Sequence, residues 1–197
     1  MCTEAPTTSF HWRTRVASAR PGVPALERRR SLERELADAA SRLESSLPTE
    51  RVAAVRDLRG LRGFRPDVLD TIVGRLADEE ADVRTAATDV LASCGKDAVE
   101  PLRRVVAEPS ACSELAVEAA LATLERLGAL AAPALPHVVA FLDEPANPHR
   151  LAAARVLGAL GSLAASARPA LERAVAAAQT PEEKAALGRA LARLPKK

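Results

Sequence analysis

The sequence is poor in aromatic residues. Its 197 residues include no tyrosine, one tryptophan and three phenylalanines. The core must therefore be built from leucine, valine and alanine, a composition that is typical of packed helices. The same shortage disfavours base flipping and single-strand nucleic-acid binding, because both use aromatic platforms for the bases.

The sequence also lacks cysteines at a recognisable spacing, a large net charge and long apolar runs. Cys2, Cys94 and Cys112 have no CxxC spacing, which disfavours a disulfide framework or a zinc site and favours a reducing, cytoplasmic location. The 28 basic and 26 acidic residues leave a net charge of +2, so no global field recruits DNA or an anionic membrane. No stretch approaches the ~20 apolar residues of a transmembrane helix. The alternative location is a lipid anchor on Cys2, if Met1 replaced a removed signal segment.

A repeat with a period of about 33 residues, within the range typical of helical solenoids, organises most of the chain. Leucines that serve here as reference positions recur once per repeat, with a slightly longer final spacing: Leu58, Leu91, Leu124, Leu157 and Leu191. Alanines lie four and five positions earlier in the first four units, and Leu187 replaces one of them in the last. An apolar residue or cysteine lies three positions later. These offsets place one apolar stripe along a helix, with alanines where two backbones approach closely.

Each unit also contains a second helix. In three units a glycine with a left-handed backbone is predicted to end the first helix: Gly95, Gly128 and Gly161. A second apolar pattern follows, and four prolines are predicted to open its helices: Pro66, Pro101, Pro133 and Pro169. The fourth unit fits this pattern only with a three-residue insertion at 166–168. Because no alternating strand pattern occurs, we predict an all-α fold, an α-solenoid of stacked helix–turn–helix repeats.

The segment from Leu76 to Leu91, LADEEADVRTAATDVL, resembles the consensus of short bacterial HEAT repeats. It is also similar to the HEAT-like repeats named after phycobilisome lyases, and the resemblance covers residues 48–195. It implies a HEAT/armadillo-like stack whose second helices line the concave side. It also implies that a basic residue seven positions before the reference leucine ties neighbouring repeats together: Arg51, Arg84, Arg150 and Lys184. Val117 holds this position in the third repeat, whose junction should lack the tie.

Three segments are predicted along the chain. Residues 1–24 are rich in threonine, serine, arginine and proline, lack periodicity, and are predicted to form a disordered tail. Residues 25–46 are predicted to form a capping helix, a half repeat that covers the first unit. Residues 47–197 are predicted to form the repeat domain, with four repeats and a closing helix.

Candidate catalytic and metal-binding residues are few. His11, His137 and His149 have no cysteine or carboxylate at a recurring metal-ligand spacing. The His-Glu pairs of HEAT-like di-iron hydroxylases are absent, and Cys94 lies at a core position. We therefore expect no catalytic residue, no cofactor and no metal. Glycines and aspartates interrupt the densest row of arginines, so we expect no specific nucleic-acid binding: Arg56, Arg59, Arg62 and Arg65.

The outward positions of the second helices form the candidate binding surface. Arginine and histidine recur there beside small residues, and such a row would accept an acidic or amphipathic peptide. The predicted partner-binding residues are Thr71, Arg75, Arg104, Glu108, His137, Phe141 and Arg173. The alternative is that Phe141 turns into the core and the basic residues only solubilise the surface.

The sequence therefore predicts a non-enzymatic scaffold or adaptor. Its concave helical surface would bind a partner protein or peptide, with an acidic partner favoured by the basic row, and self-association is also compatible with the pattern. The alternative function is a bilin-lyase-like or other small-molecule-handling repeat protein. The resemblance raises that alternative, and the shortage of aromatic contacts for a tetrapyrrole disfavours it.

Overall fold

The computed structural model describes residues 25–58 and 66–195, which are almost entirely helical. Ten α-helices lie in these two ranges: α1 Ala25–Leu43, α2 Pro48–Leu58, α3 Pro66–Gly74, α4 Ala81–Cys94, α5 Val99–Ala107, α6 Glu114–Leu127, α7 Leu135–Ala140, α8 Arg150–Leu160, α9 Arg168–Ala176 and α10 Pro181–Arg193. Short 3-10 segments connect several of them. These ranges contain no strand, and the predicted all-α fold is confirmed. The predicted tail, residues 1–24, lies outside the described residues.

The helices alternate between two layers. The first helices of the repeats, α2, α4, α6, α8 and α10, pack consecutively against one another and form the first-helix layer. The second helices, α3, α5, α7 and α9, form the second-helix layer, and each packs against the first helix that follows it. α1 packs against α2, at the place where the sequence predicts a capping helix. None of the described helices combines the length and hydrophobicity that a bilayer crossing requires.

The reference leucines lie in the core between these layers. Leu91, Leu124 and Leu157 are fully buried and Leu58 nearly so, whereas Leu191 in the closing helix is half-buried. Buried alanines accompany them one turn earlier: Ala54, Ala87, Ala120 and Ala153. Full burial of a leucine side chain stabilises the fold by about 1.5–3 kcal/mol, and the small alanines let neighbouring helices approach. The predicted apolar stripe therefore holds the first-helix layer together.

The predicted glycine stops have the backbone that only glycine adopts readily. Gly95, Gly128 and Gly161 follow α4, α6 and α8 with φ of 62°, 55° and 56°. Their ψ angles are −129°, −126° and −120°, which is the conformation of the first central residue of a type II′ turn. The prediction of a positive φ is confirmed. The chain does not continue into a left-handed helical turn but enters a 3-10 segment.

The second-helix layer keeps a constant register from repeat to repeat, so the predicted insertion at 166–168 is wrong. Equivalent positions recur without any offset and all are buried: Ile72, Val105, Val138 and Leu171. The buried pair Ala131 and Ala134 of the third repeat recurs in the fourth as Ala164 and Ala167. The sequence pattern suggested an insertion because Arg168 stands where the third repeat has Leu135. The single additional residue of the chain lies instead between α9 and α10.

Three of the four predicted prolines lie in the first turn of a second helix. Pro66 begins α3, Pro101 is the third residue of α5, and Pro169 lies in the first turn of α9. Pro133 lies inside the 3-10 segment 128–134, so it does not open α7 as predicted, and Pro136 occupies that first turn instead. A polar cap opens α10 at Thr180. Its threonine hydroxyl accepts a hydrogen bond from the backbone N–H of Glu183, and the Glu183 carboxylate accepts one from the N–H of Gln179.

Two buried arginines tie neighbouring repeats together. Arg51 pairs in bidentate fashion with Asp78, at 2.9 Å for each bond. Arg150 pairs with Glu183 at 2.5 Å and donates to the carbonyl of Ala174 at 3.2 Å. Each arginine also donates to a carbonyl of the loop before its own helix. These bonds cross from one repeat to the next, as the resemblance implies.

The other residues seven positions before a reference leucine do not form such a tie between repeats. Arg84 donates to the carbonyls of Asp78 and Glu79 in the loop before its helix, but Ala111 stands at the position equivalent to Asp78 in the next repeat and offers no carboxylate. Val117 is buried and apolar, as its sequence implies. Lys184 is exposed and its side chain bonds to none of the described residues. No described repeat follows α10, so its lysine lacks the neighbour that Arg51 and Arg150 contact.

Candidate binding surface

The predicted surface residues lie on or directly after the second helices. Arg104, His137 and Arg173 belong to α5, α7 and α9, Thr71 belongs to α3, and Arg75 begins the 3-10 segment after α3. Arg104 and Arg173 are exposed, whereas Arg75, Thr71 and His137 are half-buried. Arg173 does not share the register of the others. Because the fourth repeat has no insertion, the residue equivalent to His137 is Ala170, and Arg173 corresponds to Ala140.

Each predicted arginine is paired with an acidic residue that precedes it by about one repeat. Arg104 lies 2.5 Å from Asp70, and Arg173 lies 3.5 Å from Asp143. Arg75 donates to the carboxylate of Glu44 at 2.9 Å and to the carbonyl of Leu43 at 3.1 Å. The surface therefore alternates positive and negative charge. It is not the basic row that the sequence predicts, because the acidic partners lie on another turn and another repeat.

His137 accepts a hydrogen bond from an arginine on the preceding repeat. Arg103 Nη1 lies 3.1 Å from His137 Nε2, and Arg103 also donates twice to Glu100, at 2.8 and 2.7 Å. These bonds from Arg103 lower the pKa of the Glu100 carboxyl. Since a guanidinium only donates, Nε2 is the acceptor in this contact. The contact joins α5 to α7 across the boundary between two repeats.

Phe141 is a core residue and not part of the surface, contrary to the partner-binding prediction. Its side chain is 3% exposed and packs edge-to-face on the ring of His149, with centroids 5.8 Å apart. Its counterpart in the next repeat, Ala174, is buried as well. Glu108 is exposed directly after α5. The predicted set thus loses its one aromatic contact, and its basic members are neutralised by neighbouring carboxylates.

The first-helix layer carries two surface grooves that the sequence prediction missed. One of about 370 Å³ lies between α4 and α6, and Leu115 lines it. The other, of about 450 Å³, lies between α8 and α10 beside Leu151. Leu115 and Leu151 are 46% and 37% exposed. The signal was available in the sequence of α8 and α10, where small residues stand near leucine and arginine: Ala154, Gly158, Ala186 and Ala190.

Comparison with solved structures identifies the architecture. A designed armadillo repeat protein, solved in complex with the peptide (KR)4, covers 88% of this chain with 96% of its own length, at 14% identity and a TM-score of 0.50. The chain has an armadillo-like helical-repeat fold. An engineered protein covers 80% of the chain with 97% of its own length, at 14% identity and a TM-score of 0.38. The chain matches no family model and no curated protein.

A metal site or a nucleophile in this armadillo-like solenoid would depend on its described histidines, cysteines and carboxylates. Within 25–58 and 66–195, no group of three or more His, Cys, Asp or Glu side chains lies close enough to hold a metal ion. Cys94 and Cys112 are free and half-buried. Burial raises the pKa of the Cys94 thiol, and nearby Asp97 raises it further. A thiol with a raised pKa is a poor nucleophile at neutral pH, so its position suits packing better than covalent chemistry.

Proposed function

We propose that this chain is a non-catalytic protein-binding module that presents a fixed helical surface to a segment of a partner protein. The observation that carries the proposal is the stack itself. The layers share one core, so residues on successive repeats are held at fixed spacing along two long faces. A rigid, preorganised surface binds with a smaller loss of conformational entropy than a flexible one. The designed armadillo repeat protein of similar fold was solved with a peptide, which supports the same use here.

The proposal assigns no bond chemistry to the module. The raised pKa of Cys94 and the packing of Phe141 against His149 support this assignment. A bilin-lyase-like role would need aromatic and polar contacts around a tetrapyrrole, and the 450 Å³ groove between α8 and α10 has no aromatic side chain among its lining residues. We also propose a cytoplasmic location, because free cysteines persist in a reducing compartment.

Affinity capture with the purified full-length chain tests the function. We expect at least one protein to bind reproducibly and to bind again when purified, in isothermal titration calorimetry. The control bait is Leu124→Ala unfolded by mild heating, which should capture only nonspecific proteins. An absorbance scan with added bilin runs in parallel. A stable visible band in the complex, together with no direct protein partner, would replace the scaffold with small-molecule handling.

A further inference from the structure

We propose that the groove between α8 and α10 binds an acidic, partly apolar peptide segment of the partner protein. This inference rests on the protein-binding function proposed above and gives that function a location and a ligand chemistry. The groove belongs to the first-helix layer, on the opposite side of the fold from the residues that the sequence predicts. Its volume of about 450 Å³ can receive a few side chains of a bound segment.

Small residues make the floor of the groove. Ala154 and Ala190 are buried at its base. A Cβ atom placed on Gly158 would lie 3.4 Å from Ala190 Cα, which shows that α8 and α10 approach closely there. Larger side chains at these positions would fill the depression between the two helices. The floor therefore exposes little polar surface and can accept apolar side chains of a ligand.

The walls carry cations that the fold leaves without partners. Arg189 and Arg193 are four residues apart on α10, so they share one face of the helix. Both line the groove, both are exposed, and neither forms a hydrogen bond or ion pair with the described residues. Arg155 on the facing helix is already paired with Glu125 at 3.1 Å. Arg51 and Arg150 are paired inside the fold, whereas Arg189 and Arg193 are available to a ligand carboxylate.

Leu151 and Glu182 lie at one end of the groove, which the first turns of α8 and α10 form. Leu151, 37% exposed, lies in the first turn of α8. Glu182 lies in the first turn of α10, and it is separated from Arg189 by about 10 Å along the helix axis. Glu182 forms no ion pair with Arg189, so both arginines can bind a ligand carboxylate. A ligand that matches this pattern places a leucine-like side chain beside Leu151 and its carboxylates beside Arg189 and Arg193.

Charge argues against other occupants. Residues 1–24 carry Arg13, Arg15 and Arg20 against one glutamate, and the chain ends in two lysines. These segments would be repelled by the unpaired arginines. Nucleic acid would place phosphates beside Glu125 and Glu182 and would find no aromatic side chain among the lining residues for base stacking. A peptide with only a few carboxylates can place them beside Arg189 and Arg193, about two and three turns along α10 from Glu182, and it needs no base stacking.

Fluorescence anisotropy with the full-length chain tests the groove. The probe is a fluorescein-labelled peptide that alternates leucine and glutamate, and the reference peptide has glutamine in place of glutamate. The groove variant is Arg189→Glu with Arg193→Glu. Its matched control is Arg30→Glu with Arg34→Glu on α1, two exposed arginines at the same spacing. Circular dichroism melting verifies that both variants fold, as expected for exposed positions.

We expect the Leu/Glu peptide to bind wild type, and the groove variant to bind it at least about tenfold more weakly. The α1 control should stay within about twofold of wild type, because the peptide does not contact α1. The Leu/Gln peptide should bind wild type more weakly than the Leu/Glu peptide. Equal loss in both variants, or no binding of the Leu/Glu peptide to wild type, overturns the inference.

Two further measurements separate this inference from the proposed function. If the protein captured by wild type binds the groove variant equally well, the groove assignment is wrong and the scaffold function stands.

Sedimentation equilibrium and a single-stranded DNA probe examine the other occupants. A dimer or a DNA complex that the groove variant abolishes, while the Leu/Glu peptide does not bind, assigns the groove to a second copy or to nucleic acid and overturns the proposal. Absence of any protein partner overturns the proposed function itself.

Discussion

At the scale of single residues, Arg51 and Arg150 show how a buried charge can join two repeats. Both side chains are almost fully buried, and each donates to a carboxylate and to backbone carbonyls of the neighbouring loop. A buried guanidinium is costly unless its donors are satisfied. In this pair only the Nε atom of Arg150 is buried without a partner. Such an arginine fixes the distance between a loop and the next repeat more narrowly than an apolar side chain would.

The Arg51–Asp78 pair gives a prediction with a pH signature. Burial alone would raise the pKa of the Asp78 carboxyl, but hydrogen bonds from Arg51 and from the N–H of Glu80 hold it below the ordinary value of 3.8. Because the folded pKa is the lower one, the stabilisation is fully present above the ordinary value and is lost as the pH falls through the folded pKa. Asp78→Asn should lower the thermal midpoint at pH 7 by about 3–8 °C.

Calorimetry at several pH values tests this prediction. The gap between wild type and Asp78→Asn should narrow as the pH falls below the ordinary value of 3.8. Asp82→Asn is the matched control, since Asp82 is exposed, and it should shift the midpoint by at most about 2 °C. A gap that stays constant into strong acid would show that the Asp78 carboxylate does not stabilise the folded chain.

At the scale of helices, replacing glycine with alanine should have opposite effects on stability at two positions that differ in backbone conformation. Gly188 lies inside α10, and a Cβ there would meet no atom within 4 Å. Gly188→Ala should therefore raise the free energy of unfolding by about 0.5–1 kcal/mol. Gly128 ends α6 with φ of 55°, and Gly128→Ala should lower it by about 1–3 kcal/mol.

Urea denaturation measures both changes. The space around Gly128 is also open, because the nearest atom to a Cβ would be the Ala159 carbonyl oxygen at 4.0 Å. A loss of stability in Gly128→Ala would therefore report backbone strain and not a steric clash. If alanine at 128 were neutral, the chain would be able to leave α6 without a positive φ, and the turn geometry would not be what ends this helix.

The helices could be predicted from the sequence because their pattern repeats. A leucine stripe with alanines, followed by glycine, recurs often enough to place the C-terminal ends of α4, α6 and α8. The alternation of 3-10 and α segments could not be predicted from this pattern. Proline suits the start of an α-helix and a 3-10 turn equally well, so Pro133 is wrongly predicted to open a helix. The pairing of Arg104 with Asp70 was also hidden. It joins residues of neighbouring repeats, and sequence spacing alone does not say which turns face each other.

At the scale of the whole molecule, apolar packing outweighs the ion pairs that join repeats at the surface. Pairs such as Arg126–Asp89 and Arg104–Asp70 have side chains about half exposed. Exposed pairs add little stability and are screened by salt. Raising sodium chloride from about 0.05 M to about 0.5 M should shift the thermal midpoint by less than about 3 °C. A much larger fall would show that the surface pairs hold the stack together.

The stacked architecture also predicts which helices a destabilising core substitution affects. Most contacts join neighbouring repeats, although α3 and the 3-10 segment after it also reach α6, so stability is close to a sum of local terms. Leu124 and Leu187 are both fully buried, but Leu124 lies in the central helix α6 and Leu187 in the terminal helix α10. Replacing either with alanine should cost about 2–5 kcal/mol locally. Leu124→Ala interrupts the stack and should weaken the repeats on both sides, whereas Leu187→Ala should loosen only the last helices.

Hydrogen exchange followed by mass spectrometry distinguishes these outcomes. In Leu187→Ala, exchange should accelerate in α9 and α10 while α2 and α4 keep the protection of wild type. In Leu124→Ala, protection should fall from α4 through α8. If Leu187→Ala accelerates exchange equally in α2 and α10, the chain unfolds as one cooperative unit. The helices α8 and α10 beside the groove could then not unfold locally while the other repeats stay folded. If the response stays local, a ligand in that groove should protect α8 to α10 first.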